Sequence, residues 1–388
     1  MNFTFTDEEE KLLKEVNDFL KKESTPELEA EFYRIGACYG GPEGRKVCQK
    51  MGARGWLCPT WPKKYGGIET SEMVRFRIIH DMMYHGFPSI FVGANMAGPT
   101  ILRFGSDEMK NKFLPEIARG DKEYALGYTE PGAGSDLAAL EIWAEDKGDH
   151  FLLNGQKMFN THTHVADYHW LAARTDREGP KHKGISLMIV DLKTPGITVK
   201  PMITMAGWQT NEVFYDNVIV PKSNLVGQKN SGMYYTMSAL DFERMFPMGS
   251  YQRLFDELVA FTKETKVNGK SLSKDPIIRQ KLAELEIEME TASLLYYQLA
   301  HLLDKGLIPN YQTSQEKLFA TETAQHLTDF GMQIMGLYGQ LKTGSKYAKL
   351  NGRMDAHFRW SIVETVYAGT SEVQRNIIAL RGLGLPAK

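Results

Sequence analysis

Residues 127–136 combine hydroxyl side chains and glycines in a pattern that could serve a bound cofactor. They read Gly-Tyr-Thr-Glu-Pro-Gly-Ala-Gly-Ser-Asp and overlap the end of a short apolar run, residues 124–128. Such a strand end presents hydroxyls and bare backbone N–H groups with few side chains in the way, which suits a large polar cofactor lying against the main chain. The alternative is an ordinary Gly/Pro turn between two strands.

Histidine and cysteine are the other residues whose chemistry needs to be weighed. His162 and His164 lie close together, but no third ligand has a suitable spacing, so no metal is expected. These histidines either border a substrate pocket or cap a strand end. The three cysteines, Cys38, Cys48 and Cys58, fit neither a metal site nor a disulfide framework, which favours free thiols in a reducing cytoplasm.

Helical patterns flank the region that could hold a cofactor. Before it, apolar residues at helical spacing predict helices over residues 8–22, 71–84 and 107–118, and an apolar stretch covers residues 90–104. After it, the same spacing predicts long helices over residues 277–303, 312–335 and 358–380. Several long helices in series indicate a bundle at the C-terminal end.

Between the helical regions the apolar residues follow a period of two. Short strands are predicted at residues 149–154, 168–174, 184–191, 197–201 and 213–220, separated by turn residues. Strands without intervening helices favour an antiparallel sheet or small barrel. The sequence therefore predicts an α+β chain with an N-terminal helical domain (1–122), a middle β domain (123–230) and a C-terminal helical bundle (231–388).

Bulk composition narrows the class of protein. The 388 residues carry a net charge of −2, with 42% hydrophobic and 24% charged residues, which is ordinary for a soluble globular protein. Neither nucleic acid nor an anionic membrane is indicated as a partner. No apolar run approaches the roughly 20 residues that span a bilayer. Thr6 and Glu9 open the chain as a helix capping box rather than a signal peptide.

Three segments in chain order resemble the acyl-CoA dehydrogenase family. They are Tyr128-Thr-Glu-Pro-Gly-Ala-Gly-Ser-Asp136, Asn154-Gly-Gln-Lys-Met-Phe-Asn-Thr161 and Tyr367-Ala-Gly-Thr-Ser-Glu-Val-Gln-Arg375. The resemblance covers essentially the whole chain. It implies a noncovalent FAD and an acyl-CoA substrate, with a base removing the α proton while flavin N5 takes hydride from the β carbon to leave a 2,3-enoyl-CoA.

The resemblance also implies which residues contact FAD. Phe159 would stack beside the flavin ring, Thr161 would donate toward its O4/N5 edge, and Gly134 and Ser135 would lie by the pyrophosphate. The adenine half would be held by the end of a C-terminal helix from a neighbouring subunit. The full implied set is Leu126, Tyr128, Thr129, Gly134, Ser135, Phe159, Thr161, Gln333, Gly336, Gly339, Thr370 and Glu372.

The catalytic base departs from the common family pattern. A glutamate usually precedes the Gly-Thr of the C-terminal segment, but here that residue is Ala368, whose methyl cannot accept a proton. In a minority of the family, including isovaleryl-type and steroid side-chain enzymes, the base lies on another helix just before an arginine. Glu243 fits that place, and a glutamate in a dry apolar pocket has the raised pKa of a well-matched base. The alternative is that Glu243 and Arg244 are solvated helix charges.

The remaining substrate contacts are implied by the same resemblance. The backbone N–H of Ala368, with a ribityl hydroxyl of FAD, would stabilise charge on the thioester oxygen. Asp241 and Arg244 would serve the CoA portion, and Ser135, Tyr367 and Gly369 would also border the substrate. Residues 91–99, with four small residues, are expected to line the acyl pocket and leave room for a bulky group.

A second departure affects the subunit interface. Most family members have an arginine that reaches the neighbour's FAD pyrophosphate, and Thr265 stands in its place. A charge-assisted phosphate contact is worth about 1.5–3 kcal/mol, and Lys266 would replace it only as a point charge. Similar losses occur in family members that pair with a second kind of subunit. A heteromer and a homotetramer or homodimer with weaker FAD contacts both remain open.

The sequence thus predicts an oligomeric, cytoplasmic FAD-dependent acyl-CoA dehydrogenase of fatty or alicyclic acid degradation, passing electrons to an electron-transfer flavoprotein or similar acceptor. A branched, cyclic or otherwise bulky acyl group is expected. Two rival functions remain. One is a desulfinase-like lyase without a base, which Ala368 favours and Glu243 opposes. The other is a supporting subunit that completes a partner's FAD site, which Thr265 favours and the intact residues 127–136 oppose.

Overall fold

The computed structural model describes residues 4–35, 41–89 and 91–386, except for the side chains of residues 34, 35 and 241–243. Cys38 lies outside the described residues. The described α-helices are α1 (Asp7–Glu23), α2 (Pro26–Ile35), α3 (Pro42–Gly52), α4 (Glu72–Tyr84), α5 (Gly98–Phe104), α6 (Asp107–Ala118), α7 (Gly232–Glu243), α8 (Gly249–Glu264), α9 (Pro276–Asp304), α10 (Tyr311–Met335), α11 (Arg353–Glu364) and α12 (Ser371–Ile377). Five-residue π-helices, Gly93–Ala97 and Ile378–Gly382, adjoin α5 and α12.

The strands lie between α6 and α7, apart from one small hairpin after α8. They are β1 (Tyr124–Gly127), β2 (Trp143–Asp146), β3 (His150–Lys157), β4 (Tyr168–Arg174), β5 (Ile185–Asp191), β6 (Ile197–Ile203), β7 (Gln209–Pro221), β8 (Leu225–Val226), β9 (Lys266–Val267) and β10 (Lys270–Ser271). The predicted α+β order of helices, strands and helices is confirmed.

By the density of their internal contacts, the residues group into two compact units. The helical unit contains Met1–Ser24, Glu72–Phe87 and Arg244–Lys388, and the sheet unit contains Thr25–Ser71 and Pro88–Glu243. Helices α1 and α4 therefore belong with the C-terminal helices rather than with the other N-terminal ones. The three-domain division at residues 122/123 and 230/231 stays a prediction.

The sheet unit is built on one eight-stranded sheet in the order β6-β7-β3-β2-β4-β5-β8, with β1 paired to β4. Most pairs are antiparallel, as predicted, but β1 and β2 each run parallel to β4. Six successive residues of β5, Ile185 to Val190, are buried, and α7 packs against this strand. Strand β1 ends at Gly127, which is the first residue of the segment that the sequence indicates as a cofactor site. Its parallel pairing with β4 therefore fixes where that segment begins.

The helical unit is a bundle in which α10 packs against α9, α11 and α12. Its apolar core includes Leu258, Leu285, Met289 and Leu327. The buried face of α10 is unusual because it carries small and polar residues where a core helix is ordinarily apolar. That face includes Lys317, Ala320, Thr321, Ala324 and Thr328.

The structure corrects one helix prediction. The single helix over residues 358–380 is wrong, since α11 ends at Glu364 and α12 begins at Ser371. The break arises at Ala368 and Gly369, whose φ angles of 53° and 92° are left-handed, and at Thr370, whose side chain caps α12. Within the apolar stretch noted at residues 90–104, residues 93–97 form a π-helix and residues 98–104 form α5.

The π-helix and α5 pack tightly against neighbouring side chains of the sheet unit. A Cβ on Gly98 would lie 2.1 Å from ring atoms of Trp61, and one on Gly93 would lie 3.2 Å from Tyr124. The Gly93 N–H donates to the buried Glu123 carboxylate at 2.9 Å. Neighbouring side chains therefore leave little room for a larger residue at these two positions.

Candidate active site

The platform segment, residues 127–136, and the residue before it are fixed by hydrogen bonds to their carbonyl groups. The carbonyl of Leu126 accepts from Asn160 Nδ2 at 2.8 Å, that of Tyr128 from Lys157 Nζ at 2.9 Å, and that of Thr129 from Met158 N at 2.9 Å. Each donor lies at the end of β3 or just beyond it. The second sequence segment, residues 154–161, thus orients the first.

A buried ion pair connects the platform to β3. Lys157 is fully buried, and its ammonium also donates to Glu130 Oε1 at 2.9 Å. The same carboxylate accepts the backbone N–H groups of Glu141 at 2.6 Å and Ile142 at 3.0 Å. Burial lowers the pKa of Lys157, because the charged form loses its hydration. The pair links the platform to the chain that leads into β2.

The outer part of the platform is open. The ideal Cβ positions of Gly132 and Gly134 have no described protein atom within 4 Å, and Ser135 is exposed. Lys181 forms an exposed ion pair with Asp136 at the end of the segment. Backbone without side chains beside a hydroxyl is the surface that a phosphate-bearing group can approach closely.

Phe159 presents a large apolar ring to solvent beside the platform. Its side chain is 56% exposed, and its φ of 56° is left-handed. The next residue, Asn160, is buried and exchanges hydrogen bonds with Asn211, at 3.0 Å through its N–H and 2.8 Å through its carbonyl. A bulky residue held at positive φ is strained and often functional. This arrangement offers the ring for stacking against a flat cofactor.

Thr161 and the two histidines follow Phe159. Thr161 is half-buried, and its hydroxyl donates to Thr210 Oγ1 at 3.3 Å. His162 is buried with a φ of 68°, whereas His164 is exposed and its Nδ1 lies 3.2 Å from Asn211 Nδ2. The described residues do not bring three or more His, Cys, Asp or Glu side chains together as a metal site would require.

The predicted adenine contacts lie at the C-terminal end of α10, in the helical unit. Gln333 is exposed and donates to Asp329 Oδ2 at 2.7 Å. Gly336 has a φ of 53° and no described atom within 4 Å of its Cβ position, whereas Gly339 is buried. The neighbouring Leu337 and Tyr338 are 82% and 52% exposed. This helix end is therefore an exposed, partly apolar surface.

The signature loop, residues 367–370, connects α11 to α12 in the same unit. The carbonyl of Gly369 accepts from Lys317 Nζ at 3.0 Å, and Gln374 Nε2 lies 2.9 Å from the carbonyl oxygens of both Ala368 and Gly369. Thr370 Oγ1 accepts from Val373 N at 3.3 Å. Hydrogen bonds from its own backbone N–H and from Thr370 lower the pKa of the exposed Glu372.

Glu243 is the last residue of α7, and Arg244 follows it. The side chains of Asp241 and Glu243 lie outside the described part of the structure, so their predicted roles stay predictions. Arg244 is 5% exposed, so it is not a solvated surface charge.

A buried carboxyl that the sequence did not single out lies one helical turn before the signature loop. Glu364 is 4% exposed and accepts a hydrogen bond from the Tyr251 hydroxyl. Burial raises the pKa of Glu364 to about 8, opposed by hydrogen bonds from Tyr251 and Trp360. The His357 ring, centred 5.1 Å from that of Tyr251, has its pKa lowered by burial to about 3 and is neutral. The Glu364 carboxyl is therefore protonated at neutral pH.

Thr265 lies between α8 and the hairpin formed by β9 and β10. Asn268 and Gly269, both at positive φ, form its two-residue turn, which is the preferred turn of such hairpins. A cleft of about 400 Å³ borders Thr265 and is lined by Glu257, Glu264 and Lys349. Glu257 is paired with Arg253 at 3.1 Å and with Arg353 at 2.6 Å, so the charges around the cleft are mixed.

Comparison with known proteins gives consistent matches along the chain. Family models described as acyl-CoA dehydrogenase N-terminal, middle and C-terminal domains match residues 6–121, 125–218 and 230–383. Acyl-CoA dehydrogenase FadE26 of Mycobacterium tuberculosis is 35% identical over 100% of this chain and 99% of its own length.

Solved structures show the same similarity. The Tcur3481–Tcur3483 steroid ACAD superposes with a TM-score of 0.91 at 34% identity, covering 100% of both chains. The ChsE4–ChsE5 complex from Mycobacterium tuberculosis gives the same TM-score of 0.91 and 34% identity, again over 100% of both chains. Among the described residues, no helix is both long and apolar enough to cross a membrane.

Proposed function

The chain belongs to the acyl-CoA dehydrogenase family, and we propose that it oxidises a bulky acyl-CoA thioester to the 2,3-enoyl-CoA. Members of this family are FAD-dependent oxidoreductases. The observation that carries the proposal is the intact platform segment, with backbone open at Gly132 and Gly134 beside the exposed Phe159 ring. Because Ala368 has a methyl group where the family usually places its base, the proton acceptor in this proposal must come from another residue.

The sheet unit fits the flavin. Phe159 offers an exposed ring for stacking, Thr161 offers a hydroxyl, and the open Cβ positions of Gly132 and Gly134 leave the backbone accessible beside Ser135. Leu126, Tyr128 and Thr129 would hold the polar edge of the ring system. In the helical unit, Thr370 and Glu372 would contact the flavin, and Gln333, Gly336 and Gly339 would hold the adenine half of a neighbour's cofactor. When bound, the flavin supplies a hydride acceptor.

The protein residues handle the proton. An α C–H beside a thioester is a very weak acid, so its removal requires stabilisation of the negative charge that develops on the thioester oxygen. The Ala368 N–H would donate to that oxygen, and Glu243 would accept the proton. Arg244 and Asp241 would bind the CoA portion, with Ser135, Tyr367 and Gly369 bordering the acyl thioester.

The relatives support the proposed class of acyl group. A structure named as a steroid ACAD is 34% identical over the whole chain, which supports a bulky, steroid-derived or alicyclic acyl group. The small residues of the 91–99 segment give less support than the sequence suggested. Tyr124 and Trp61 fill the space beside Gly93 and Gly98, so these glycines do not themselves widen a pocket.

The proposal also covers the subunit assembly of the protein and its electron acceptor. A relative of 34% identity is described as the ChsE4–ChsE5 complex, which supports pairing of this chain with a related second subunit. The loss of the arginine at Thr265 points the same way, because it removes a charge-assisted contact to a phosphate at that surface. An electron-transfer flavoprotein or a similar carrier would accept the electrons. The buried thiols Cys48 and Cys58 support a cytoplasmic location.

The deciding experiment compares the wild type with Glu243→Gln under anaerobic conditions. Purified protein is mixed with straight, branched, alicyclic and steroid-derived acyl-CoAs, and bleaching of the bound flavin is followed. We expect the wild type to be bleached by one of the bulky thioesters. Glu243→Gln should retain its flavin but lose at least about 10²-fold in the rate of reduction, since a general base contributes about 10²–10⁴-fold.

The control is Glu264→Gln, an exposed glutamate on α8, which should bleach like the wild type. Normal reduction in Glu243→Gln would overturn the assignment of the base. A flavin-loaded wild type that no acyl-CoA bleaches would favour the lyase alternative. A chain that binds no flavin when purified alone, but restores flavin binding to a related subunit, would favour the supporting-subunit alternative that Thr265 suggests.

A further inference from the structure

Lys317 is a buried cation aimed at the signature loop. It lies on the core face of α10 and is 1% exposed. Its ammonium donates to the Gly369 carbonyl at 3.0 Å and lies 5.6 Å from the centre of the Tyr367 ring. Burying a charged amine is costly unless it is well bonded, so its position against the loop backbone calls for a function.

Gln374 holds the same backbone from α12. It is fully buried on α12, and its amide nitrogen lies 2.9 Å from both the Ala368 and the Gly369 carbonyl oxygens. Its side-chain oxygen has no hydrogen-bond partner among the described residues. The fit is close, because a Cβ on Gly369 would lie 2.7 Å from the Gln374 nitrogen.

The backbone held in this way is intrinsically unfavourable. Ala368 and Gly369 have φ angles of 53° and 92°, and a left-handed conformation costs an alanine about 1–2 kcal/mol. The Ala368 N–H donates to no described residue. Without the two side-chain donors on its carbonyls, the turn would relax and this N–H would change direction.

We propose that Lys317 and Gln374 are positioning residues that hold the Ala368–Gly369 turn so that the Ala368 N–H is directed at the thioester oxygen. The proposal rests on the proposed function for the identity of the acceptor. The holding of the turn itself rests only on the hydrogen bonds and dihedral angles described above. The two parts can therefore fail separately.

A charged donor suits this task better than a neutral one. A hydrogen bond from an ammonium to a carbonyl is roughly twice as strong as one between neutral groups. The positive charge also favours negative charge that develops near the loop. An arginine at position 317 should keep the charge and a donor, whereas a methionine keeps only the length of the side chain.

The first test uses flavin-loaded protein and acetoacetyl-CoA as the probe. This thioester has an acidic α carbon, and its enolate beside an oxidised flavin gives a long-wavelength charge-transfer band. In Lys317→Met and Gln374→Met we expect the enolate fraction at neutral pH to fall about tenfold or more, while the dissociation constant of the thioester changes by less than about threefold. Lys317→Arg should restore part of the band.

The second test measures hydrogen–deuterium exchange of residues 365–371 without ligand. Both methionine variants should exchange at least about tenfold faster there than the wild type, with the β4 and β5 segments unchanged. The matched control is Thr321→Val, a buried polar residue one turn along α10 whose hydroxyl donates to the Lys317 carbonyl rather than to the loop. It should behave like the wild type in both tests.

The outcomes separate the two proposals. Wild-type exchange in both methionine variants overturns the positioning role, even if their enolate band is weakened. Faster exchange combined with an unchanged enolate band overturns the link to the thioester oxygen. If the wild type itself binds acetoacetyl-CoA without forming the enolate, while the variants exchange faster, the proposed function fails and the holding of the turn stands. Should Lys317→Met not fold, Gln374→Met and Lys317→Arg decide by the same readouts.

Discussion

The platform segment and the signature loop are both held from behind by a buried lysine that donates to a backbone carbonyl. Lys157 contacts the Tyr128 carbonyl and the Glu130 carboxylate, each at 2.9 Å. Lys317 contacts the Gly369 carbonyl at 3.0 Å, where Gln374 is the second donor. The platform thus has a buried counter-charge built into it, and the loop is held by side chains from two helices.

The backbones differ as well. The platform continues a strand that is paired with β4, and its next carbonyls are bound by residues at the end of β3. The loop has two successive left-handed residues and joins two helices. Sheet hydrogen bonds therefore maintain the platform, whereas individual side chains maintain the loop. Substitutions behind the platform should mainly cost stability, and those behind the loop should mainly change its conformation.

The largest effect is expected for Lys157→Met, which leaves Glu130 buried without its counter-charge. Breaking a buried ion pair in this way costs about 3–5 kcal/mol, so the free energy of unfolding should fall by that amount and flavin content should fall with it. Urea unfolding and the flavin absorbance of the purified protein measure the two effects. The control is Lys181→Met, which removes an exposed ion pair from the same segment. It should change stability by about 1 kcal/mol at most, and an equal loss in both variants would contradict the comparison.

A pH-dependent effect is expected at Glu364, one helical turn before the signature loop. Its pKa in the folded protein is about 8, against an ordinary value of 4.5. The native state therefore keeps a proton that the unfolded chain has released, and this contribution to stability is fully present below pH 4.5 and is lost as the pH rises to 8. Glu364→Gln removes the titration, so the variant should gain stability relative to wild type across that window, by about 1–3 kcal/mol between pH 5.5 and 8.

Urea unfolding at several pH values checks this prediction. Glu123 and Glu316 also have pKa values raised by burial, but both are present in the two proteins, so the difference between wild type and variant isolates Glu364. A difference that is independent of pH would show that Glu364 is ionised in the native state.

Effects of similar or smaller size are expected from exchanging residues within the turn. Gly369→Ala should lose about 1–3 kcal/mol, because a φ of 92° is strained for alanine and the new Cβ would lie 2.7 Å from Gln374 Nε2. Ala368→Gly should stay within about 1 kcal/mol of wild type, since relief of left-handed strain offsets the added chain entropy. Thermal unfolding of the two variants side by side provides the measurement. Equal losses would indicate that packing, rather than backbone conformation, determines the stability of the turn.

The sequence predicted most elements because their signals are local. Helix α1 was expected over residues 8–22 and spans Asp7–Glu23, and β4 was expected at residues 168–174, where it lies. Strand β2 was missed because four residues, Trp143–Asp146, are too few to show a period. The break between α11 and α12 was missed because apolar spacing continues across it, although Gly369 and Thr370 together are an end-and-cap signal.

The groups that hold the site were harder to foresee. Lys157, Lys317 and Gln374 lie inside segments that were noted for other reasons, and the partners of each come from distant parts of the chain. One sequence signal was available for Lys317, namely its helical spacing from Ala320, Thr321 and Ala324. These four residues share the core face of α10. A lysine at a core position needs a buried acceptor, but only the fold shows that this acceptor is the Gly369 carbonyl.

The π-helix at Gly93–Ala97 determines where the chain before α7 tolerates a change in length. A π-turn closes its hydrogen bonds over one more residue than an α-turn, so deleting a single residue there would leave an ordinary α-helix that points α5 in nearly the same direction. A deletion inside α5 itself would instead rotate the residues after it by about 100°. Phe104, whose ring lies 4.6 Å from that of Tyr235 on α7, would keep this contact in the first case and turn away in the second. The π-helix therefore absorbs a one-residue change in length without repacking the helix that ends at Glu243.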